Sequence, residues 1–359
     1  MGPLSATRYY SRELSRRLAH YARVRRHGYP DHGSLEQAAE TILAERAAGG
    51  IESGGHFHGV WPRDLCFAAR GLVTAGYQET VATTGDWLVS QLSNVFYTDF
   101  HTDASVNAAT PAEGVDTFPA LVLLLAEADR LEYHAESIAT LAALHDRKFV
   151  DSNRGLVTGA GSSWWDSAAA PREAYNTALL LAAARVLESR EIPTVFTGRS
   201  AALREGLGRL WNGSYFDERR GSSVLACDAN VPVLYFGLVE PSVAETIVNS
   251  LGVLETPNGL RLRGASFSPR EVHPFFLLHR DYHTQIWPWN SFAYAVGLRR
   301  YGFDARARRE VERVERCLAP VGTFLELYRV TGKPYVKRGY AAVGDFMVAA
   351  ALWRELQSL

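Results

Sequence analysis

From Ser34 onward, apolar residues recur at helical spacing in about a dozen segments of ten to nineteen residues, cut apart by Gly, Pro, Asn and Asp, while strand-like alternation is nearly absent. The spacing predicts helices near 34–49, 62–76, 79–94, 116–131, 134–149, 171–189, 196–211, 229–238, 241–251, 286–301, 304–319 and 340–356. They are of two kinds. Stretches such as FPALVLLLAEA, AYNTALLLAAARVL and YAAVGDFMVAAALW are apolar almost all round, as helices buried on every side are. SLEQAAETILAERAA, SAALREGLGRLW and ARARREVERVERCL each carry one apolar stripe and one charged face, which suits the surface of a fold.

Six alternations of buried and surface helix, with no strands between, predict an all-α fold. The arrangement is an (α/α)6 toroid in one domain, residues 34–359, preceded by a basic helical lead-in, residues 1–33. In the lead-in the arginines Arg8, Arg12, Arg16, Arg17, Arg23, Arg25 and Arg26 read as a solvated face opposite Leu14, Leu18 and Tyr21. In such a toroid successive inner helices run parallel, so the connections that enter them gather at one end. Those connections hold the unusual residues: HFHGVWPRD (56–64), AEGVD (112–116), SSWWDSAAAPRE (162–173), LACDAN (225–230), HTQIWPWN (283–290) and FLELYRVTGKPYVKRGY (324–340). Pro62, Pro171 and Pro288 each fit a first helical position, where a missing N–H removes no hydrogen bond.

This end would gather Trp61, Trp164, Trp165, Trp287, Trp289 and Tyr328 with Arg63, Asp64, Asp116, Asp166, Arg172, Asn176, Asp228, Gln285, Asn290 and Glu326. Flat aromatic faces beside carboxylates, guanidinium and amides suit a ligand with apolar C–H faces and a rim of hydroxyls, as a sugar has. With a net charge of −1, the chain has no overall field to attract nucleic acid or an anionic membrane. No apolar run reaches the ~18 residues of a membrane span, and the first thirty residues lack the apolar core of a signal peptide, so a cytoplasmic location is expected. The three cysteines, Cys66, Cys227 and Cys317, have no CxxC spacing and suggest neither disulfide nor zinc.

Glycoside hydrolysis needs one carboxyl group that donates a proton and one that activates water or attacks the sugar. Asp166 fits the acid, because the indoles of Trp164 and Trp165 would exclude water and favour its protonated form. It also lies too far ahead of Pro171 to cap the following helix.

The segment SSWWDSAAAPREAYNTALLLAA resembles the one that carries the catalytic acid in (α/α)6 glycoside hydrolases. In glycogen-debranching glucosidases that stretch reads Trp-Met-Asp; in trehalases, processing α-glucosidases and mannosylglycerate or glucosylglycerate hydrolases it reads Gly-Trp-Asp. Asp166 is the matching position. FLELYRVTGKP is similar to the stretch that carries the general base in the same group, which implies that role for Glu326. HTQIWPWNSFAYAVGLRRYG resembles the tryptophan-rich opening of an inner helix beside the glucose site, and GVWPRD resembles a sugar-binding Arg-Asp motif of glucoamylase-like members. The resemblance implies an inverting α-glycosidase without cofactor, in which Arg63, Asp64 and Asp116 hold hydroxyls of a glucose-like sugar. The connections at roughly 95–115, 150–170, 252–285 and 320–340 are long enough to close over the mouth, which points to a small substrate.

Other readings stay open. A sugar epimerase on the same barrel would oppose two histidines across the pocket, and a carbohydrate sensor would keep the tryptophans without needing both carboxylates. His273, His279 and His283 with Asp281, or His56 with His58, have no recognised metal spacing. His56 and His283 are expected instead to hydrogen-bond sugar. No metal or cofactor and no nucleic-acid partner are expected; oligomeric state is left open.

Overall fold

The computed structural model describes residues 3–48, 50–55, 59–92, 96–100, 113–159 and 167–359, with residues 3–10 and 275 described by their backbone alone. The helices are α1 (Pro3–His27), α2 (Leu35–Ala47), α3 (Pro62–Thr74), α4 (Gln78–Gln91), α5 (Thr117–Glu127), α6 (Ala135–Phe149), α7 (Glu173–Ser189), α8 (Ser200–Gly208), α9 (Cys227–Tyr235), α10 (Pro241–Leu251), α11 (Pro288–Arg300), α12 (Asp304–Leu318) and α13 (Met347–Ser358). Each of the twelve spans expected from Ser34 onward overlaps one of α2 to α13.

The odd-numbered helices from α3 to α13 form a ring. Each packs on the next, and α13 packs on α3 to close it. They are the helices whose sequences are apolar all round: in α5 every residue from Thr117 to Leu125 is buried, and in α11 every residue from Pro288 to Leu298. The remaining helices from α2 to α12 lie outside them with one buried stripe each. In α2 this is Ala38, Ala39, Ile42 and Leu43, behind a capping box in which Ser34 and Gln37 satisfy each other's backbone amides. Closure depends on a missing side chain, since a Cβ on Gly71 of α3 would sit 1.9 Å from the carbonyl oxygen of Ala351 on α13. The result is an (α/α)6 toroid. Among the described residues the strands are three two-residue antiparallel ladders, and no helix is long and apolar enough to cross a membrane.

Three local expectations are corrected. Pro171 is not the first residue of α7: the helix starts at Glu173, and its cap Arg172 has non-helical backbone angles while its guanidinium reaches away to Asp228. The last inner helix starts at Met347 rather than near residue 340. Tyr340 and Ala341 instead pair with Val336 and Lys337 around Arg338 and Gly339, both in the left-handed region that such a two-residue turn requires. In α1 the packed face is not Leu14 and Leu18, which are about half exposed, but Arg17, His20 and Val24. Arg17 lies over the rings of Phe276 and Tyr340, and His20 bonds the carbonyl of Ala342. The cation–π contact and that hydrogen bond hold a charged face against the barrel. Arg12, Arg23, Arg25 and Arg26 are exposed, as a solvated face requires.

Candidate active site

The N-termini of the inner helices share one end of the toroid, and their connections are laced together there by single backbone bridges. Ala168 pairs with Val272, Ala226 with Arg263, Arg261 with Ile286, Ile286 with Tyr328, and Tyr328 with Pro334. Trp61 and Trp287 occupy the residue before the first turn of α3 and α11, each in extended conformation and each followed by proline at the first helical position. Trp287 and Trp289 lie 6.2 Å apart between ring centres, and Trp289 meets Phe67 of α3 edge-on at 5.8 Å. The tryptophans of α11 are thus stacked into the ring itself.

Glu326 is the best-defined carboxylate of this end. It lies in the connection leading to α13, is 2% exposed, and receives three donors. The hydroxyl of Tyr282 donates to Oε1 at 2.8 Å; the hydroxyl of Tyr340 and the amide of Val343 donate to Oε2 at 2.6 and 3.2 Å. Burial, and next the charge of Glu326, hold both phenols well above their ordinary pKa, so they remain donors. Two hydroxyls and an amide converging from different segments fix the plane of the carboxylate and the direction of its remaining lone pair. Tyr282 and Tyr340 were not singled out from sequence, although both lie within or beside the segments that were; the signal available was their place next to HTQIWPWN and after FLELYRVTGKP.

Asp166, Trp164 and Trp165 lie outside the described residues, as do His56 and His58. Ser167, which follows Asp166 in the chain, is described: its hydroxyl is hydrogen-bonded to Nε2 of His283, and its carbonyl accepts the amide of His273. His283 follows Tyr282, the donor to Glu326. A path of two hydrogen bonds therefore joins the residue after Asp166 to Glu326, which lies 159 positions further along the sequence.

The Arg63, Asp64 and Asp116 group is one node across three inner helices. Arg63 Nη1 donates to Asp116 at 3.2 Å, Tyr175 of α7 donates to the same oxygen at 3.0 Å, and Ser53 donates to Asp64 at 2.6 Å. Burial raises the pKa of Asp64 against the opposing pull of Arg63. A second node lies beneath α7 and α9. Arg172 donates to Asp228 at 2.7 Å and pairs with Glu218 at 2.9 Å, while Arg263 grips Glu218 from the other side; both guanidiniums face the ring of Phe267, at 5.3 and 4.2 Å. Burial works against the ionised form of Glu218, but Arg172 and Arg263 outweigh it and hold its pKa at about 2. Asn176, one turn along α7, is fully buried and its amide has no hydrogen bond to any described residue.

Three residues expected as sugar contacts are engaged within the chain. Tyr328 points away from the toroid axis, its hydroxyl on the carbonyl of Asn258 and beside Cys317 of the outer helix α12. Gln285 braces two connections instead, donating to the carbonyl of Asp281 at 3.0 Å and accepting from the amide of Val330 at 3.3 Å. His283 has both ring nitrogens occupied: Nδ1 faces the carbonyl of Arg280 and can only donate, which leaves Nε2 to accept from Ser167. Among the described residues no three His, Cys, Asp or Glu side chains are grouped as metal ligands, and Asp281 is bonded to Lys337 and Tyr335.

The buried histidines make a pH prediction. Burial lowers His283 to about 3 and His145 to about 4, so both stay neutral in the folded chain and take up protons on unfolding below pH ~6.5. Glu355 opposes them, because burial raises it to about 7 and the folded state holds a proton there that the unfolded state releases above pH ~4.5. Among these three groups two take up a proton on unfolding and one releases it, so their joint contribution to the unfolding free energy should rise between pH ~4.5 and ~6.5 by about 1.4 kcal/mol per unit. Urea titrations of the parent and of Glu355→Gln across that window test this: the variant's slope should be more positive by about one proton, and an equal or less positive slope would contradict the assignment.

A closed ring of six inner and six outer helices with its polar groups at one mouth defines the class of fold. Within it, the chain is similar to a glycosidase solved in complex with glucose, at 16% identity and a TM-score of 0.72 over 90% of this chain and 95% of that one. It is also similar to the GH63 mannosylglycerate hydrolase from Thermus thermophilus, solved in complex with glucose (15% identity, TM-score 0.62) and with Tris and D-glycerate (14%, 0.66), each over 90% of this chain and 100% of that one. No protein-family model and no curated protein sequence matches the chain.

Proposed function

We propose that the protein is an inverting α-glycosidase, acting on a small α-glucoside or glucosylated metabolite, with Asp166 as general acid and Glu326 as general base. The observation that carries this reading is the path from Ser167 through His283 and Tyr282 to Glu326, which ties the two carboxylate-bearing connections to each other at the mouth. The neighbours solved with glucose support a hexose as the glycone.

In this mechanism Asp166 gives its proton to the glycosidic oxygen as the bond to the anomeric carbon breaks. Glu326 takes a proton from a water that attacks the opposite face of the sugar. Inversion requires the carboxyls to stand ~6.5–9.5 Å apart, with room for that water. Tyr282 and Tyr340 orient the base without competing for its proton, since burial keeps them protonated. Arg63 and Asp64 reach hydroxyls of the glycone from the first turn of α3, with Asp116 behind them.

The test is a proton NMR time course with trehalose, isomaltose, kojibiose, glucosylglycerol, glucosylglycerate and mannosylglycerate beside glycogen. The expected result is rapid cleavage of one small glycoside with the β-anomer appearing first, and negligible release from glycogen at equal concentrations of non-reducing ends. First appearance of the α-anomer would mean a covalent intermediate and overturn Glu326 as a base. Cleavage of glycogen as fast as the best small substrate would overturn the substrate class.

A further inference from the structure

At the face opposite the mouth, where the inner helices end, the ring leaves a cleft of about 390 Å³. That is within the ~300–1,000 Å³ of small-molecule sites. Its wall carries Leu123, Phe236 and Leu238, with Glu127 on the Arg70 side, and its rim carries Arg70, Arg185 and Arg300. The three guanidiniums are not equally engaged. Arg70 donates to Glu127 at 2.6 Å and lies 3.6 Å from Glu355, so its charge is answered from within the chain. Arg185 makes one hydrogen bond, from Nη1 to the carbonyl of Gly237 at 2.9 Å. Arg300 crosses the same turn, with its Cδ 3.0 Å from where a Cβ on Gly237 would stand, and makes no hydrogen bond or ion pair to a described residue.

Cations near helix C-termini complement the backbone dipole, and that accounts for one arginine per helix end. It does not account for two guanidiniums placed beside one glycine turn at the rim of a cleft. Behind the cleft lies a further polar group: Glu355 is fully buried and its Oε1 accepts no hydrogen bond, while its Oε2 takes the hydroxyl of Tyr235, itself part of the cleft lining.

We propose that this cleft binds a small organic anion, with its phosphate or carboxylate on Arg185 and Arg300 and its apolar body against Phe236 and Leu238. The two guanidiniums supply the fork geometry that either anion accepts, and their exposure leaves that geometry open to solvent. The site is separate from the reaction at the mouth and does not depend on it.

Isothermal titration of the full chain with phenyl phosphate, benzoate and benzyl alcohol tests the proposal. At least one anion should bind with Kd below about 1 mM, while the alcohol should show nothing at that concentration. Arg185→Ala with Arg300→Ala should weaken the anion at least about tenfold, and Arg308→Ala, an exposed arginine of α12, should leave it unchanged. Both cleft arginines are exposed, and circular dichroism verifies that the double variant keeps its fold. Preference between phenyl phosphate and benzoate decides which anion the site takes. The proposal is overturned if neither anion binds by about 10 mM, if the folded double variant binds as tightly as the parent, or if glucose at the mouth competes.

Discussion

On the proposed roles, Glu326→Gln and Asp166→Asn should each lower kcat by at least about 10²–10⁴, because each would remove one proton transfer. Glu326→Gln keeps the shape of the side chain: its amide oxygen in the place of Oε2 can accept from Tyr340 and Val343, and its NH2 can donate to the hydroxyl oxygen of Tyr282. Loss of activity with an unchanged melting temperature therefore reports on chemistry. Tyr340→Phe is the informative comparison. It removes a donor at 2.6 Å from Oε2 without touching the carboxylate, so its effect should be smaller and should fall on kcat rather than KM if the phenol positions the base. A variant at Asp166 or Glu326 that keeps more than a tenth of the activity would reassign the acid or the base.

The architecture was legible because its signal is long and redundant. Each inner helix is apolar over most of its length and each outer helix carries a single apolar stripe, so an error at one boundary does not change the count. The boundaries failed where a side chain or a turn acts against local pattern. YAAVGDFMVAAALW reads as one buried helix, but Arg338 and Gly339 close a tight turn that keeps Tyr340 in a strand facing Glu326. Leu14 and Leu18 mark an apolar stripe on α1, yet Arg17 and His20 make the contacts because their partners, Tyr340 and Ala342, come from the far end of the chain. The site divided the same way. Residues in or just before the first turn of a helix, such as Arg63, Trp287 and Trp289, can be placed at the mouth by counting along the helix. Tyr328 and Gln285 belong to irregular connections, where nothing in the sequence states which way a side chain turns.

Arg172 separates a binding role from a structural one, and Arg172→Met is expected to cost about 3–5 kcal/mol of folding stability. The residue was expected among the sugar contacts, but its side chain is 1% exposed and lies between Asp228 and Glu218. Removing the guanidinium leaves two carboxylates in an interior that Arg263 alone cannot neutralise, since Arg263 bonds Glu218 and acts on Asp228 only through its charge. The size of the loss follows from the buried charges left behind rather than from the strength of the bonds removed. Asp228→Asn in the Arg172→Met background should therefore recover part of the stability, although it removes a second member of the network. Arg220→Ala is the matching control: its partner Glu173 is buried, but its own side chain is 45% exposed to solvent, so its loss should cost far less than that of Arg172. Urea denaturation of the parent and these variants distinguishes the accounts. If Arg172→Met lies within about 1 kcal/mol of the parent while KM for the best substrate rises sharply, Arg172 holds substrate and the buried-network account fails.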